Sequence, residues 1–336
     1  MNQHPLAEEE HRIAALRRLA ALEPSRKTEI IDQAMKDRAN AKREDLVPLA
    51  RWLTLEGESE KLIAFLKEDM VLNYTPLLEN YLNALTLLKR YDDLARVIKD
   101  PKTRLTTAER AFHKVHLAFV TSKNWDEVNS LLNDALAAAQ SEGKPGMVMS
   151  IARYAEQREH PIVAEQAYLA ITRIPQSRVG GLEREGFESL LRLSYQNGNS
   201  KSFMETAQET ARRWPDNQNF NERAVYSSLL AGMELEGSII RARKLLADKP
   251  NDSQRKLIMA LAYSRQLDPK SAAKHLQQIN LGDISLGQGA VLCGIMKSAG
   301  FEQQAQSIAS QIPNATKMLP EEERFLKLAK PATDES

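Results

Sequence analysis

The feature that most constrains this chain is a period of about 35 residues. It is clearest from Leu182 to Pro250, which reads helix, turn, helix, turn, twice over. Phe187, Leu190, Leu191 and Leu193 cluster at helical spacing and stop at Asn197-Gly198-Asn199. An amphipathic run from Phe203 to Trp214 then ends at Pro215-Asp216-Asn217. The next copy begins at Phe220, turns near Met233 to Gly237 and ends at Pro250-Asn251-Asp252, so the two proline stops lie 35 residues apart. Turns of the same kind fall near Gly57, Lys89-Arg90, Lys123-Asn124, Glu159-His160, Gly198, Met233, Leu267-Asp268 and Gly300. Those eight turns space the chain at about 32 to 39 residues, the length of a helix-turn-helix unit. A single unit of that size cannot bury its own apolar face, so the units must stack, and the period reads as one continuous row.

Composition agrees. In 336 residues there are only 14 Gly and 14 Pro, too few turn residues for a large β-rich fold. The chain is 42% hydrophobic and 27% charged, which suits a folded array. Its 46 basic and 45 acidic side chains leave a formal charge of +1, without the basic excess of a nucleic-acid or anionic-membrane binder. The single cysteine, Cys293, allows no intrachain disulfide and no multi-cysteine zinc site, and its apolar surroundings predict a buried thiol. The start at Met1 has neither a basic n-region nor an apolar h-region, and Ile284 to Met296 is too short to span a bilayer. A cytoplasmic location is therefore the expectation.

The ends read differently from the middle. Residues 1–43 carry two helices, His11–Leu22 and Thr28–Lys42, broken at Pro24-Ser25 and rich in Arg and Lys. They are expected to be capping helices with a solvated outer face; a docking surface for an acidic partner is the sharper alternative. Residues 44–313 hold the repeats. In 314–336, Leu319-Pro320-Glu321-Glu322-Glu323 opens a helix that continues through Phe325, Leu326 and Leu328. This helix is expected to cover the apolar edge of the last unit, with Ala332–Ser336 disordered.

Small residues recur where two helices of one unit should cross. The seventh unit has Ala260, Tyr263, Ala272 and Leu276, and the fourth has Ile151, Ala152, Ala164 and Tyr168. With glycine at the turn (Gly57, Gly198, Gly300) and proline near the stop (Pro215, Pro250), this pattern resembles the 34-residue tetratricopeptide repeat. Units two, three and six depart from it, with Leu82 and Leu94, His116 and Val128, and Tyr226 and Ser238 at the small positions. Other α-solenoids of similar period stay open. The resemblance implies an all-α fold: a right-handed superhelical α-α solenoid of about eight helix-turn-helix repeats with N- and C-terminal capping helices. It further implies a non-catalytic scaffold or adaptor that binds a segment of a partner protein along a concave groove lined by the first helices. The groove positions fall here on Glu79, Asn83, His113, Arg153, Arg192, Tyr195, Arg223 and Arg265. Four of these are arginines that could meet an acidic peptide bidentately, diluted by Glu156, Glu185 and Glu188. The Lys/Asn carboxylate clamp of the chaperone-binding members is not recognisable.

No catalytic constellation stands out. There is no phosphate-cradling Gly-Lys-Ser/Thr loop and no Gly-x-Ser-x-Gly elbow, so the chain is read as no enzyme. Gly287-x-Gly289 followed by Gly294 lacks the spacing and the preceding strand of a dinucleotide loop, and is read as a turn entering a closely packed helix. Glu109, His113 and His116 share a helix face at metal-ligand spacing, but ordinary packing is the expectation and no cofactor is expected. Trp52, Trp125 and Trp214 are each expected to pack at element junctions. Two further classes remain as alternatives: a helical-repeat nucleic-acid binder that reads one base per unit, and a metal-dependent enzyme on a helical scaffold. No nucleic acid, no membrane insertion and a protein partner are expected, with self-association left open.

Overall fold

The computed structural model describes residues 8–122, 124–174, 180–276 and 279–330. Lys123 of the third turn, His4 and the tail Ala332–Ser336 lie outside the described residues. The described chain is all-α, and no strand occurs among the described residues. An N-terminal pair, α1 (Glu9–Leu22) and α2 (Lys27–Asp37), precedes eight helix pairs. They are α3 (Arg43–Leu55) with α4 (Ser59–Phe65), followed by the short α5 (Glu68–Leu72), and α6 (Thr75–Leu87) with α7 (Tyr91–Lys99). Next come α8 (Thr107–Thr121) with α9 (Trp125–Ser141), and α10 (Pro145–Gln157) with α11 (Pro161–Thr172). The remaining pairs are α12 (Leu182–Gln196) with α13 (Ser200–Arg213), α14 (Gln218–Ala231) with α15 (Leu235–Asp248), α16 (Ser253–Arg265) with α17 (Pro269–Leu276), and α18 (Leu286–Ser298) with α19 (Glu302–Ala309). Helix α20 (Pro320–Ala329) closes the described chain.

These are tandem pairs of the tetratricopeptide-like kind, and the backbone shows why they turn where they do. The chain enters the left-handed region at Gly57, Lys89, Glu159, Gly198, Gly232, Leu267 and Gly300, each at an intra-pair turn that the period had marked. Helix starts follow side-chain chemistry. Thr106 with Glu109 and Ser285 with Gln288 form capping boxes, while Asn199, Asn217 and Asp252 accept the free amides of α13, α14 and α16. Pro145 and Pro320 occupy the first helical position of α10 and α20, where a missing amide proton costs nothing.

Compactness divides the chain into two units, Met1–Val163 and Ala164–Ser336, with the boundary inside α11. In the first unit a core runs from Ile13 through Trp52, Leu82 and Leu94 to Ile98. In the second, a core runs from Leu191 through Ala260, Ala272 and Cys293 to Ala329. Ala260 and Ala272 are wholly buried on the packed pair α16–α17, where larger side chains would hold the backbones apart. Burial pushes the Cys293 thiol up to about 11, the behaviour of an inert core cysteine. The tryptophans differ from one another. Trp52 is buried with its indole N–H donated to Glu56, and Trp214 lies edge-on to Phe187. Trp125 instead remains 57% exposed, because it stands at the first residue of α9, touching Phe119 and His160 with its other face in solvent.

Candidate partner groove

In the second unit, the first helices of successive pairs enclose an open concavity of about 770 Å³. Arg184, Glu188, Arg192 and Tyr195 descend one wall from α12, and Asn219, Phe220, Arg223 and Tyr226 line the facing wall from α14. Gln254 of α16 and Ser285 and Gln288 at the head of α18 extend it, and a smaller hollow of about 230 Å³ continues past Arg223 to Ile258. The helical repeat explains the arrangement: Glu188, Arg192 and Tyr195 follow one another at three- and four-residue steps, so they share a face.

The charges of the concavity are partly spent internally. Arg184 pairs with Glu188 at 3.0 Å and lies over the Phe220 ring at 5.6 Å. Arg192 and Arg223 are both exposed, and Arg223 makes no ion pair among the described residues. Tyr195 and Tyr226 donate their hydroxyls inward to Glu322 of α20, at 2.8 and 2.7 Å. Burial, and then the nearby Glu322, push both phenols above their ordinary range. The groove therefore presents arginine at its rim and neutral hydroxyls at its floor.

Of the groove residues expected from sequence, Arg192, Tyr195 and Arg223 come together here. Arg265 does not line the concavity. Its guanidinium turns to the carbonyls of Leu229, at 2.8 Å, and of Leu230, finishing the C-terminal end of α14, and it lies 5.6 Å over the Phe325 ring. Glu79, Asn83, His113 and Arg153 belong to the first unit. Glu79 and Asn83 are exposed on one face of α6, and burial followed by Glu109 raises the Glu79 carboxyl. Arg153 is exposed on α10. His113 is held neutral, its imidazole lowered to about 4 by burial and then by His116.

The Glu109–His113–His116 face does not converge on a point. Glu109 caps α8 by accepting from Thr106 N at 2.9 Å and pairs with Lys144 at 3.0 Å. His116 packs against Tyr154 and Phe112, with ring centres 4.3 and 4.9 Å away. Among the described residues no three His, Cys, Asp or Glu side chains gather closely enough to hold a metal ion.

Two residues that sequence reasoning passed over organise this region. Arg255 is 1% exposed and reaches Glu222 at 2.7 Å, Asp248 at 2.9 Å, Gln218 at 2.8 Å and the Leu245 carbonyl at 2.8 Å, tying α16 to the preceding pair. Glu322 is wholly buried. The available signal for the second was Tyr226, which stands where the repeat wants a small residue and whose phenol meets that carboxylate.

No family model matches the chain, and no curated protein matches it. Among solved structures it is similar to a chain in the crystal structure of the APC/C hetero-tetramer Cut9–Hcn1, at 12% identity and a TM-score of 0.32. The alignment covers 91% of this chain but 66% of that one, just under two thirds of its length. At that level the likeness carries no argument of its own, and the architecture described above rests on the helices themselves. No described helix is long and apolar enough to cross a membrane.

Proposed function

We propose that this chain is a non-catalytic scaffold, working in the cytoplasm, whose second unit binds an acidic segment of a partner protein between α12 and α14. The observation that carries this reading is the open concavity of about 770 Å³ with Arg192 and Arg223 exposed on its opposite walls. Two guanidinium forks on facing helices suit carboxylates spaced along an extended or helical segment, and Phe220 supplies an apolar surface between them. The near-zero formal charge confines the basic character to this rim, which favours a local acidic motif over a polyanion. Affinity capture from native lysate with the wild-type chain beside R192E/R223E tests it. The account expects a protein held by the wild type and weakened about tenfold or more by the double reversal. Equal recovery by both chains would remove the groove from the interaction.

A further inference from the structure

Helix α20 does more than close the last pair. Leu319, Leu326 and Ala329 bury against the second core, along α18. Other side chains reach back along the row of first helices: Glu322 to Tyr195 of α12 and Tyr226 of α14, and Phe325 beneath Arg265 of α16. Helix α18 is shaped to receive it. A methyl group at Gly294 would stand 2.5 Å from Phe325 Cδ1 and 2.9 Å from the Phe325 carbonyl oxygen, and one at Gly287 would overlap the Glu322 carboxylate. Only glycine lets the two helices approach this closely.

The resident is nevertheless held on weak terms. Glu322 is a buried carboxylate met by two phenols and the Leu319 amide, at 2.9 Å, and by no cation among the described residues. A buried carboxylate satisfied only by neutral donors contributes less to docking than an apolar side chain of the same size would. A shaped seat with a modestly held occupant is the arrangement an exchangeable ligand requires.

We infer that α20 is the resident ligand of this groove, and that the outside partner enters as an acidic helix carrying Glu and Phe three residues apart, in place of Glu322 and Phe325. This rests on the groove reading above. The seat takes the Glu and the aromatic ring, while Arg192 and Arg223 take acids flanking them. In the resting chain the competent, open groove is a minor state, so the apparent affinity for any outside helix is reduced by the open fraction.

The test uses the intact chain and a labelled peptide spanning residues 316–331 as the probe, measured by fluorescence anisotropy. Phe325→Ala loosens the resident and is expected to tighten peptide binding about tenfold over wild type. Hydrogen exchange on the wild-type chain reads the same property without substitution, and the amides of α20 are expected to exchange faster than those of α18. Equal exchange in the two helices, or no peptide binding to either chain, would overturn the proposal and make α20 a fixed part of the core. If peptide binding fails while the R192E/R223E chain still loses its partner, the exchange falls and the groove reading stands.

Discussion

At the residue scale, the side chains with the largest consequences are charged ones inside the fold. Arg255 is buried with four partners, and removing it leaves Glu222, itself largely sequestered, without a counter-charge. R255A is expected to destabilise the second unit by about 3 kcal/mol in urea unfolding, whereas R223A, at an exposed site, should stay within about 0.5 kcal/mol. Glu322 gives a pH signature. Burial first, then Glu321, raise its carboxyl; the Tyr226 hydroxyl, the Leu319 amide and the Tyr195 hydroxyl pull it partway back. A raised folded-state value means that the stabilising contribution is complete below the unfolded carboxyl value of about 4.3 and is lost as pH rises through the folded one. The second unit should thus lose stability with rising pH across that window, and E322Q should flatten the slope. An unchanged slope in E322Q would assign the dependence to other groups. Neither role was legible in the sequence, because Arg255 and Glu322 look like ordinary surface charges until the neighbouring pairs are stacked around them.

At the element scale, the turns were legible and the end of the chain was not. The period marked Leu267 as a turn, and the structure puts it in the left-handed region at φ 59°, 89% exposed. A leucine there carries strain that glycine lacks, so L267G is expected to raise stability by about 1 kcal/mol in thermal or urea melts. A loss of stability would mean that the leucine side chain contributes packing its exposure does not suggest. The turns could be read because their chemistry is local. The path of α20 could not, because Gly287, Gly294 and Tyr226 register only as departures from the repeat until the C-terminal helix is laid over them. Sequence reading set that helix on the edge of the last pair; it does pack on α18, and it also runs back to α12, α14 and α16. Arg265 shows the same limit: repeat position alone put it in the groove, while the carbonyls ending α14 claim its guanidinium.

At the scale of the whole molecule, a repeat chain of nearly neutral charge with no gathered metal ligands among its described residues works through shape and local charge. The account makes the α12–α14 face of the second unit the place where a partner sits. The most direct test installs a photo-crosslinking residue at exposed Asn219, on the groove wall, and in a parallel chain at exposed Lys244, on α15 of the same pair but outside the concavity. The account predicts one discrete crosslinked protein from position 219, absent from position 244 and lost with R192E/R223E. Crosslinking of the same protein from both positions, or from 244 alone, would contradict it.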